Sequence, residues 1–166
     1  MKMILIQLVT AWFMTGVIWT VQVVHYPLFA QVGLEEFQTY EALHTKWITY
    51  VVAAPMLVEL FLAGFWLIQD DRRIPKWMPY AGALLVGIIW FATFAFSVHY
   101  HNQLMGGFRQ DSWSGLVTTN WIRTACWTAR GILLVYALDR VWRWEASSKA
   151  LTSPGSSQNI QETAGE

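Results

Sequence analysis

Four apolar runs dominate the chain: Met3 to Val24, Trp47 to Ile68, Trp77 to Val98 and Leu116 to Leu138. Each holds about 20 residues or more, which at about 1.5 Å per residue covers a hydrocarbon core of about 30 Å. Buried helices of soluble proteins are usually shorter and keep a polar stripe. The pattern therefore predicts an all-α integral membrane protein, a four-transmembrane-helix bundle. Between the first two runs, Tyr26-Pro27 and Gly33 break the chain, and LEEFQTYEALH then takes helical spacing. Leu34, Phe37, Glu41 and His44 share one stripe there. This predicts an amphipathic outer helix before the second span, lying on the membrane or running straight into that span. From Ser147 the chain is polar, Ser-rich and without periodicity. The expected division is a transmembrane domain over 1–146 and a disordered polar tail over 147–166.

Composition sharpens this picture. The 166 residues are 55% hydrophobic and only 13% charged, about half the charged share of a soluble domain. Formal net charge is zero, so nothing favours nucleic acid, which needs a clustered basic face. The single cysteine, Cys126, excludes an internal disulfide, a CxxC redox centre and a cysteine-based zinc site. Of eleven tryptophans, Trp47, Trp77, Trp113, Trp142 and Trp144 stand where apolar runs meet charge, the aromatic-belt position. The first run is longer than the apolar core of a signal peptide, so it is expected to stay as a span.

Charge also orients the chain. Lys2, Arg72, Arg73, Lys76, Arg140, Arg143 and Lys149 lie at one set of helix ends, against Lys46 and Arg109 at the other. By the positive-inside rule both termini are cytoplasmic, in a bacterial-type inner membrane. The expected surroundings are the lipid bilayer, with a membrane-protein partner or a second copy in a homodimer.

Candidate chemistry collects at the opposite face. Counted along their helices, His25, His44 and His99 lie about 34–39 Å from the cytoplasmic ends. His25, His44, His99 and His101 thus converge from three helices, and only one of His99 and His101 is expected to face inward. Imidazoles at one depth offer ligands for a transition metal or for haem b, or groups that titrate near neutral pH. Glu41 precedes His44 by three residues, the Glu-x-x-His spacing of carboxylate metal sites in helix bundles. Those sites use the motif twice and this chain has it once, which counts against a di-metal centre. Gln22 stands three residues before His25 and is expected to orient it, while Tyr26, Tyr100 and Asn102 add hydrogen-bonding capacity. As an architecture, four spans with histidines at one face resemble small membrane haem proteins.

Two charges lie deeper, Glu59 and Arg130, each about 15 Å above the cytoplasmic ends. Their matched depth predicts an intramembrane pair, because isolated charges there are costly. Asn120, Arg123, Trp127 and Arg130 fall on one stripe of the fourth run, which must look into the bundle. Arg123 and Asn120 are expected to support the histidine site, with Arg123 suited to an anionic group. Two functions follow as expectations. The first is a haem- or metal-binding protein of redox type, with ligands drawn from His25, His44, His99, His101 and Glu41. The second is a non-catalytic membrane subunit, assembly factor or small carrier working through Glu59 and Arg130. No particular reaction or catalytic residue is indicated.

Overall fold

The computed structural model describes residues 1–152. These form four long helices and, among the described residues, no strand: α1 (Lys2–Phe29), α2 (Phe37–Ile68), α3 (Trp77–Leu104) and α4 (Gln110–Thr152). Helices α1, α2 and α3 are long and apolar enough to cross a membrane, which indicates a membrane protein. Helix α4 does not meet that standard, in contrast to the four spanning runs expected. Its interior polar residues, Asn120, Arg123, Thr124 and Arg130, lower its apolar content. Of the two arrangements expected for the outer amphipathic segment, the structure shows it running straight into the second span, since α2 begins at Phe37 and continues unbroken through Pro55 to Ile68. One boundary differs. Helix α4 runs past Ser147 to Thr152, and the rest of the expected tail lies outside the described residues.

The helices form a ring in which α1 and α3 each pack on α2 and α4. Three apolar layers fill it. Ile4, Ala11, Trp66, Met78, Leu134 and Val141 pack near the N-terminal end of α1. Met14, Ile18, Met56, Ile89 and Trp127 fill the middle, and Val21, Phe29, Phe37, Leu104 and Leu116 the histidine end. Large apolar side chains such as Val9, Phe61, Leu84 and Phe91 face outward, each more than 60% exposed. A water-soluble fold would bury that surface; lipid would accept it.

Two short connections hold the ends. In the loop after α2, Arg73 bonds Asp71 and reaches Glu145 of α4 at 2.7 Å. This brings the basic loop and the far end of α4 to one side. After α3, Gly107 takes φ 118°, a backbone conformation that only glycine adopts cheaply.

Each of two helices carries one wide turn, over Val21–His25 in α1 and Thr93–Ser97 in α3. Such π-turns hold an extra residue and recur at functional sites. On α3 the inward positions run Val86, Ile89, Ala92 and then Ser97, a step of five where a regular helix takes three or four. Regular spacing would carry Phe96 inward. The extra residue buries Ser97 and Leu104 and brings His101 to the bundle side, with Tyr100 packed on Gly115 of α4.

Candidate functional site

Two buried polar layers separate the apolar ones, and the sequence-predicted residues divide between them. In the layer near the N-terminal end of α1, Arg130 is fully buried and reaches three helices. Its Nε donates to Glu59 Oε2 at 3.3 Å on α2, Nη1 to the Gly82 carbonyl at 3.0 Å on α3, and Nη2 to Gln7 Oε1 at 2.9 Å on α1. Trp127 Nε1 adds a bond to the same Glu59 oxygen at 3.1 Å. The expected pair is therefore present, inside a larger network. Gln7, with Gln22 one of two amides inside the first apolar run, is the signal in the sequence that could have found it.

The second layer lies at the histidine end. His101 Nδ1 meets Glu41 Oε1 at 2.5 Å, and His101 Nε2 meets the Tyr26 hydroxyl at 3.1 Å. A carboxylate only accepts, so in the neutral imidazole Nδ1 carries the proton and donates to Glu41. Nε2 then accepts from the Tyr26 O–H. Beside this chain, His25 Nε2 and His44 Nδ1 share a hydrogen bond at 2.8 Å. The His44 ring lies 5.2 Å from that of His101. Phe29 packs edge-on against His25, His44 and His101, so an apolar ring helps to hold all three. Glu41 has no solvent exposure and Tyr26 is buried.

His99 is not part of this group. It points away from the layer and bonds Gln103 at the surface, as the register set by the wide turn of α3 requires. Gln22 does not orient His25; its amide donates to the Val117 carbonyl and accepts from Asn120 at 2.9 Å. Gln22 and Asn120 thus tie α1 to α4. Tyr26, weighed from the sequence only as hydrogen-bonding capacity, occupies the end of the Glu41–His101 chain. Its neighbour Pro27 marked a helix end in the sequence, whereas α1 continues to Phe29.

Arg123 lies below the chain. It is 7% exposed, donates to Ser97 Oγ at 2.8 Å, lies over the Trp127 ring and sits beside the Tyr26 hydroxyl. Its Nε has no hydrogen-bond partner. Among the described residues no carboxylate pairs with it. Tyr26, His101 and Arg123 all line one cavity of ≈ 220 Å³. Its floor is Met14, Val17, Ile18 and Val21, and its mouth lies between α2 and α3, where Thr49, Val98 and Asn102 are exposed.

As a metal shell the set fits poorly. His25 and His44 are spent on each other, both nitrogens of His101 are engaged, and His99 is elsewhere. Among the described residues no group of three or more His, Cys, Asp or Glu is arranged to hold a metal ion. Two His-end atoms, Glu41 Oε2 and His44 Nε2, are buried without a partner. What the arrangement does present is a carboxylate, an imidazole and a hydroxyl in series, the order in which a base is oriented and a hydroxyl activated. Compared with known proteins, the chain matches no family model, no curated protein and no solved structure.

Proposed function

We propose that this chain is a small four-span membrane protein whose Glu41–His101–Tyr26 series transfers protons to or from a substrate that enters from the lipid. One observation carries the reading: the series ends, through two hydrogen bonds of 2.5 and 3.1 Å, on the wall of a buried cavity that opens sideways. A proton leaving Tyr26 for His101 Nε2 gives an imidazolium against the Glu41 carboxylate. The Tyr26 oxygen, beside Arg123, then takes a proton from the substrate. Proton transfer by positioned groups of this kind typically contributes about 10²–10⁴-fold to a rate.

The fourth span is supported by how α4 distributes its residues. Asn120, Arg123, Thr124 and Arg130 are buried, while Trp121, Ile122, Ile132, Val135 and Tyr136 face outward. Low overall apolar content is then compatible with crossing, because the polar side chains meet protein rather than lipid. The distribution of basic residues supports a reading with cytoplasmic termini and the histidine layer at the outer side of a bacterial-type inner membrane.

A second reading, a haem or transition-metal site of redox type, rests on the paired imidazole nitrogens of His25 and His44 from separate helices and on the two unpartnered atoms beside them. It requires those two rings to separate. The experiment compares membrane-soluble metabolites, by mass spectrometry of lipid extracts, in cells lacking the gene and complemented with variants. Wild type and His99→Ala should restore the normal profile; Tyr26→Phe and His101→Asn should not. All four behaving alike would sink the acid–base reading. Stoichiometric metal or a Soret band in the purified wild type would favour the second.

A further inference from the structure

A buried cation normally has a carboxylate against it, because stranding it in a low-dielectric interior is expensive. Arg130 obeys this rule and Arg123 does not. The one buried carboxylate of its layer, Glu41, is engaged by His101, on the far side of Tyr26. Arg123 keeps an unbonded Nε and lines a cavity. The cavity otherwise offers small hydroxyls, Thr45, Thr93 and Ser97, over an apolar floor of Met14, Ile18 and Val21. That is a receptacle for an apolar body with an oxygen headgroup that becomes negative.

Which headgroup follows from the neighbouring base. A carboxylic acid is already ionised near neutral pH and needs no Tyr26–His101 pair to remove its proton. A weaker acid does need one, and its neutral form is the one that dissolves in lipid and enters between α2 and α3. The volume of ≈ 220 Å³ is below the usual range of about 300–1,000 Å³ for drug-sized ligand sites, which suits a single ring.

We propose, resting on the acid–base reading above, that this cavity takes a hydroxyaromatic compound, a phenol or hydroquinone, from the bilayer and holds its conjugate base on Arg123. The hydroxyl proton passes to the Tyr26 oxygen as the Tyr26 proton passes to His101 Nε2. No electrons move, and two ion pairs result: aryl oxide with Arg123, imidazolium with Glu41.

The test uses the full chain in lipid discs with 4-nitrophenol, whose anion absorbs separately from its acid, at a pH where the free compound is mainly the acid. Wild type should take up one equivalent by equilibrium dialysis, above empty discs, and show the anion band. Arg123→Gln should weaken uptake by about 10–100-fold, the loss expected for one charged hydrogen-bonded contact, and lose the band. Arg123→Lys should keep part of both. Thr49→Trp, at the exposed mouth, should block uptake while leaving the buried residues untouched, so the proposal stays testable if Arg123→Gln fails to fold. Benzyl alcohol, which resembles the ring but does not ionise, should not compete. No saturable uptake by wild type, or uptake unchanged in both Arg123→Gln and Thr49→Trp, overturns the proposal. Uptake and an anion band that depend on Arg123 but survive Tyr26→Phe and His101→Asn leave the ligand assignment standing and remove the acid–base reading.

Discussion

The two polar layers draw on the same residue types, an arginine of α4 and a glutamate of α2 in each, and they are built to different ends. Arg130 is tied to α1, α2 and α3 at once, and Gly82 lets α3 come so close that an added methyl would stand 3.1 Å from its Nη1. Among the described residues, Gln7 Nε2, Glu59 Oε1 and Trp66 Nε1 are left there without a partner. Arg123 donates to Ser97, lies against the Trp127 ring and the Tyr26 hydroxyl, meets no carboxylate among the described residues, and borders open space. A cation satisfied from every side fixes the helices around it. One with no carboxylate and an unpartnered Nε beside a cavity keeps bonding capacity for something else, at some cost in stability. The same contrast holds for the carboxylates: Glu59 bonds to the arginine of its layer, while Glu41 holds an imidazole that holds a hydroxyl.

That comparison is broken most forcefully at the inner network. Glu59→Gln or Arg130→Met alone leaves an uncompensated buried charge and should cost about 3–5 kcal/mol, read as lost thermal or denaturant stability in lipid. The double variant should recover much of this. Single changes without effect would mean that the layer is hydrated and does not hold the bundle together. Gly82→Ala should cost about 1–3 kcal/mol, because the new methyl meets both Arg130 and the Trp66 ring. An added methyl at Gly64 or Gly87 meets nothing within 4 Å, so alanine there should be neutral within about 0.5 kcal/mol.

At the histidine end, Tyr26→Phe removes one hydrogen bond and should cost only about 1 kcal/mol while abolishing complementation. A stability loss as large as that of Arg130→Met would make this layer structural too and erase the distinction. A small, pH-dependent effect is expected outside both layers. Hydrogen bonds from Arg73 hold the Asp71 carboxyl below the usual carboxylate range. A depressed value means that this stabilisation is in place above about pH 4 and is lost as pH falls through the lower folded-state value. For a partly exposed pair it amounts to about 1 kcal/mol at most. Asp71→Asn should remove that acid-dependent part and nothing else, measured as stability against pH.

Much of this arrangement is legible in the residue pattern because apolar runs and stripes are local properties. The runs give the helices. The stripe Asn120, Arg123, Trp127 and Arg130 is buried throughout, since side chains three and four apart share a helix face. Glu59 and Arg130 could be matched by depth because rise per residue is constant. The same logic brought His25, His44 and His101 to one end. It failed where the helix is irregular: a constant 3.6-residue turn cannot show that Thr93–Ser97 holds an extra residue, and so cannot choose His101 over His99.

What the sequence determined by itself was composition of faces and depth along each helix, because both follow from spacing within one segment. What only the tertiary structure decided was the pairing of side chains across helices. Whether Gln22 meets His25 or Asn120, whether Tyr26 closes a series with His101 and Glu41, and whether Arg123 faces a carboxylate or a cavity depend on how four helices rotate and approach. Those rotations are set by packing, by Gly82 against Arg130 and by the two wide turns. Such contacts join residues tens of positions apart, and no periodicity within one helix records them.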